Sequence, residues 1–239
     1  MAWFWRKKKQ DSPAYRVTPR KEPSPTSKVD VSELTPPAAD FLASACVLQL
    51  TAASELAAVS SEAWSAEDAD ALMVASGMAM DRYRALRALL ADYEKDVSGA
   101  IATPRHTLSG HLERFVTTRW YERVGTIYVV FGLTRDFWLL LAGGLPKDLR
   151  TRVTEILRDG GEEDLLAGVL ERVLQVDTRY VSRLSLWARR LVGDAMLICK
   201  DALADAVVSA DDAVTKLEPI FTDVLAHHAS RLERVGLTA

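Results

Sequence analysis

The chain has 239 residues, 49% of them apolar and 26% charged, with a formal net charge of −3. That length and apolar share suffice for one large domain or two small ones and exclude a wholly disordered polypeptide. The two cysteines, Cys46 and Cys199, lie in apolar runs; they exclude a disulfide-framed secreted scaffold and read as buried thiols in a reducing, cytoplasmic compartment.

The charge is unevenly spread. Residues 1–28 carry eight Lys/Arg and two acids, a balance of +6, which leaves −9 for the rest of the chain. Six of the nine prolines precede position 38. Residues 1–37 are therefore expected to be a disordered, basic, Pro-rich tail, because they cannot bury enough surface to offset the entropy of ordering. At its tip Trp3, Phe4 and Trp5 stand beside Arg6, Lys7, Lys8 and Lys9. Aromatic rings next to cations suit contact with an anionic membrane surface or with nucleic acid, and a peripheral membrane placement would follow. A solvated tail is the plain alternative. The basic run follows the apolar residues, the reverse of a signal peptide.

From residue 38 the pattern is helical. Leu42, Cys46, Leu50 and Ala53 predict a first helix from Pro37 to about Ser61. Ser65 with Asp68 three residues on has capping-box spacing and opens a second helix to about Val97. Residues 98–104 read as a loop. A long third helix is expected over about 109–141, apolar on most sides in its second half, hence surrounded by other helices. The run from Val124 to Leu145 is long enough to span a bilayer, but Arg135 and Asp136 interrupt it, so a buried helix with a polar network is expected instead. Gly143-Gly144 ends that helix and Pro146 begins a fourth, to about 175, broken at Gly160-Gly161. A fifth spans about 178–205 on a Leu184, Trp187, Leu191, Ala195 stripe. A sixth follows Ser209, with His228 on its apolar face and Gly236 as its stop. The fold class is all-α: an antiparallel bundle of about six helices over residues 38–239.

Bundles of this kind often hold two metal ions, bound by a Glu on each of two helices and a Glu-x-x-His pair on each of the other two. None of the four histidines has Asp or Glu three residues before it. Glu162-Glu163-Asp164 reads as a solvated helix start favoured by the helix dipole. Arg190 and Asp194 are i, i+4 neighbours suited to an ion pair. No phosphate-binding loop, dinucleotide fingerprint, nucleophile elbow or zinc-finger spacing occurs in the chain.

Three segments carry a resemblance: Gln49-Leu50-Thr51-Ala52, the run Leu186 to Asp194, and Ala226-His227-His228 through Arg231-Leu232 to Val235-Gly236-Leu237. Together they resemble the actinobacterial ferritin-like proteins grouped with the MiaE-type tRNA hydroxylases, over residues 38–239. The resemblance implies a ferritin-like bundle with a non-haem di-iron centre; relatives use dioxygen to hydroxylate the isopentenyl group of a modified adenosine in tRNA. It aligns the ligand positions with Gln49, with Met78 to Asp81, with Phe131, and with Asp159 and Glu162. Only Asp81, Asp159 and Glu162 would then remain as vestigial metal candidates, and no catalytic residue is assigned. The expectation is a bundle without a cofactor that acts by binding an unknown protein partner or a second copy of itself. The alternative is a two-iron monooxygenase using those acids together with Glu55 or Asp136.

Overall fold

The computed structural model describes residues 31–158, 160–203 and 210–238, with the backbone alone over 210–216. Eight α-helices occur among them: α1 (Ala38–Ser60), α2 (Ala66–Leu90), α3 (Val97–Leu112), α4 (Trp120–Leu141), α5 (Lys147–Leu157), α6 (Glu162–Val176), α7 (Arg179–Asp201) and α8 (Ala210–Arg234). No strand occurs among the described residues.

Local chemistry sets the boundaries. Pro37, with φ −48°, precedes α1 and has no N–H to leave unpaired. The Ser65 hydroxyl accepts the Asp68 N–H at 3.0 Å and donates to the Asp68 carboxylate at 2.8 Å, as the capping spacing predicts. Gly161 opens α6 with φ +103°, a conformation that a side chain would strain.

Four helices form a closed ring in the order α1, α2, α6, α4. Along α1 and α4 the contacts run in opposite directions. Thr35 donates to the Leu141 carbonyl at 2.7 Å, Phe41 meets Trp138 edge-on at 4.7 Å, and the Trp120 indole donates to the Val59 carbonyl at 2.8 Å. Arg172 pairs with Asp68 at 2.7 Å at one end of the α2–α6 seam and Arg82 pairs with Glu162 at the other, so these two are also antiparallel. It follows that α2 and α4 run the same way on opposite corners. The chain must then travel the length of the bundle between them, and α3, packed on α1, makes that crossing.

Helix α4 is enclosed. On its outer side α7 lies parallel to it, with Arg183 on Glu122 at 2.7 Å and Trp187 donating to Thr126 at 2.9 Å. There too α8 lies antiparallel, with Tyr128 donating to the Arg231 carbonyl at 2.9 Å and Phe137 stacked on Phe221 at 6.0 Å. This is why α4 is apolar on nearly every side. Two segments, Ala38–Ser60 and Trp120–Gly144, are long and apolar enough to cross a membrane, and most of each is buried inside the bundle.

Six expected helices become eight α-helices. Residues 98–104, expected as a loop, lie in α3, whose start is capped by Asp96 accepting the Gly99 N–H at 2.9 Å. Pro104 sits inside that helix. The second helix ends at Leu90, short of the expected Val97. The expected helix over 109–141 is two helices, because the chain extends at Val116, φ −63° and ψ 123°, and α4 starts afresh at Trp120. The expected break at Gly160-Gly161 separates α5 from α6.

Candidate functional site

The point where metal would sit in such a bundle is the middle of the ring. Side chains from all four helices meet there around a cavity of about 20 Å³: Gln49 of α1, Arg82 of α2, Phe131 and Arg135 of α4, and Glu162 and Glu163 of α6. That volume is room for about one water molecule.

The centre is an ion-pair network. Arg82 pairs with Glu162, each side chain 9% exposed. Arg135 Nη2 lies 2.5 Å from Glu163 Oε2, and Arg231 Nε lies 3.2 Å from the same oxygen. Arg231 Nη2 donates to Asp136 Oδ2 at 2.6 Å. Three guanidiniums thus face three carboxylates, and the charges cancel. Such neutrality is what burial demands, since an unpaired buried charge costs several kcal/mol. Burial works against the charge on Arg231, yet Asp136 and Glu163 outweigh it and hold its pKa above the usual arginine value. Burial, and next the charge of Glu163, pushes the Tyr128 phenol well above its ordinary range.

Two backbone features build this arrangement. Helix α6 starts at the bundle centre instead of running through it, so Glu162 and Glu163 occupy its first turn, where unpaired N–H groups favour carboxylates. On α4, Gly132 lets the Arg231 guanidinium lie against the backbone; a Cβ there would stand 2.8 Å from Arg231 Nε.

The positions expected from sequence are partly brought together. Gln49, Phe131 and Glu162 all reach the centre. Asp81 does not: it is exposed and pairs with Arg84 at 2.8 Å, while its neighbour Arg82 points inward. Met78 is also outside the cavity lining. Asp159, and the tail residues Trp3, Trp5, Arg6, Lys7, Lys8 and Lys9, lie outside the described residues. Glu55 is partly exposed, 3.7 Å from Arg123. The reading of Glu162–Asp164 as a solvated start is corrected: Glu162 and Glu163 are engaged in the core, and only Asp164 is exposed, paired with Arg234 at 2.5 Å. Arg190 does not pair with Asp194. It lies 5.3 Å over the Trp187 ring, and Asp194 stands 3.7 Å from Arg114. Arg135 and Asp136 do join a network across helices, as expected.

Sequence reasoning missed Arg82. The signal was present: positions 72, 75, 79 and 86 form the buried stripe of α2, and residue 82 falls on it at the same spacing.

His228 is 2% exposed, and neither ring nitrogen has a hydrogen-bond partner among the described residues. Burial, with the Arg231 charge adding to it, pulls its pKa down to about 4, so the ring is neutral near pH 7. It is a core group, as expected, but without the expected partner.

A second cavity, of about 390 Å³, lies between α1, α4 and residues 112–118; Ile127 and Phe131 line both it and the centre.

A ring of four helices with one long crossover defines the ferritin-like class of bundles. The family model described as the ferritin-like domain of actinomycetes matches residues 35–217, and the chain belongs to that family. No curated protein matches the chain. Bundles of this class commonly carry two metal ions, and the donors present here do not fit them. A carboxamide and a phenyl ring stand at two helix positions, and the carboxylates that reach the centre are engaged by guanidiniums. No group of three or more His, Cys, Asp or Glu side chains able to hold a metal occurs among the described residues.

Proposed function

We propose that this protein is a ferritin-like bundle whose metal centre has been replaced by the Arg82, Arg135 and Arg231 ion-pair network, and that it works as a non-catalytic interaction or structural protein. The supporting observation is the position of Arg82. A guanidinium held at the centre supplies the positive charge that a metal would otherwise bring to Glu162. Divalent ions there would have to take carboxylates that the three guanidiniums already engage, leaving buried cations unpaired. The MiaE-type likeness is then one of scaffold.

The second reading is a di-iron monooxygenase resembling the tRNA hydroxylases. The 390 Å³ cavity next to the centre favours it, because a substrate could stand there against Phe131. Anaerobic loading with ferrous iron followed by dioxygen separates the two. The first reading expects the spectrum of added iron in buffer, unaltered by the protein. A dioxygen-dependent absorption that titrates with two irons per chain would overturn it.

A further inference from the structure

Away from the centre, a groove of about 560 Å³ runs between the first half of α1, the length of α3 and the end of α7. Its floor is apolar: Ala43, Val47, Leu108, Trp138 and Ile198. Its rim is acidic, with Asp40, Glu94, Asp96 and Asp201, and none of its lining residues is Lys or Arg. Asp96 caps α3 and Asp201 meets His111 at 2.8 Å. Asp40 and Glu94 are exposed and have no cationic partner among the described residues. Four carboxylates around an apolar floor call for a ligand with apolar bulk and several cations.

We propose that the occupant is the chain's own segment Trp3-Phe4-Trp5-Arg6-Lys7-Lys8-Lys9. Three observations favour it. Its composition complements the groove: three aromatic rings for the floor and four cations for the rim. The described chain reaches the groove from that side, because Pro36 and Pro37 line it. The 22 residue-to-residue steps from Lys9 to Val31 can extend about 70–80 Å, so reach is no obstacle. Tethering also raises the local concentration of the segment to the millimolar range. Docking brings a segment of four cations and no acid to a body of −9. The proposal stands apart from the reading of the bundle centre, since none of the groove's lining residues is a member of the ion-pair network.

The test uses the full chain with a photo-crosslinking benzoylphenylalanine at position 5. Docking predicts intramolecular crosslinks to residues 39–48 and 100–108. Asp40→Asn with Glu94→Gln, both exposed, should leave the circular dichroism unchanged and lower the crosslink yield roughly two- to tenfold. Crosslinks elsewhere on the chain overturn the proposal, as does a yield that the paired variant leaves unchanged. Crosslinks that form only between chains and vanish on dilution overturn it in favour of a second copy. Groove crosslinks that are absent while the chain sediments with phosphatidylserine vesicles overturn it in favour of a lipid surface.

Discussion

Arg82 of α2 and Glu162 of α6 pair across the middle of the four-helix ring, each side chain 9% exposed. Removing one partner leaves the other charged and buried. Arg82→Met should therefore cost about 3–5 kcal/mol, whereas Arg82→Met with Glu162→Leu should cost far less, because an apolar pair can replace a buried ion pair. Urea unfolding of the two single variants and the double variant checks this. Additive losses would show that the two residues do not act as a pair.

Gly132 and Gly77 make a matched comparison. Both lie inside helices, but a Cβ at Gly132 would press on Arg231 at 2.8 Å, and one at Gly77 would meet nothing within 4 Å. Gly132→Ala should destabilise by roughly 1–3 kcal/mol through displacement of a packed side chain. Gly77→Ala should stabilise by about 0.5–1 kcal/mol through helix propensity. Thermal or urea unfolding reads both, and equal signs would contradict the close approach of Arg231 to α4.

His228 gives the fold a pH dependence. Its pKa is about 4 in the folded chain against 6.5 ordinarily, so the unfolded state binds more protons between those values. Stability should fall as pH drops from 6.5 to 4, by up to about 3 kcal/mol from this group. Arg231 opposes protonation and Asp136 favours it. His228→Leu removes the titrating ring and its unpartnered nitrogens, so it should flatten that part of the profile. A profile unchanged in the variant would count against a buried neutral histidine.

Both thiols should be inert in the native state. Burial pushes the Cys46 pKa up to about 12 and raises that of Cys199 further. A disulfide-exchange reagent at pH 8 should label neither until urea unfolds the chain, since the thiolate is the reactive form. Rapid native labelling of Cys46 would contradict the packing of α1.

The helical class was legible because α1, α2 and α7 keep apolar residues at helical spacing, and because Ser65 marks the start of α2 and Gly160-Gly161 the division between α5 and α6 by local chemistry. The division at 116–119 was not. No glycine or proline marks it, and nothing in the local sequence calls for the extended backbone at Val116. Pro104 misled in the other direction, because tertiary packing holds α3 around it. At the candidate site, Gln49, Phe131 and Glu162 were found by alignment of ligand positions. Arg82 was missed because arginine is not a metal ligand, whereas Asp81, one residue away, is of ligand type but turns about 100° round the helix to solvent. A cation on an apolar stripe is as informative about a bundle centre as a missing ligand.

The central claim is that guanidiniums occupy the place of metal. Metal content measures it most directly, on protein purified from iron-replete cells without chelators. Iron and other transition metals should lie far below one per chain, unchanged by Glu162→Gln. About two irons per chain, lost in Glu162→Gln, would contradict it.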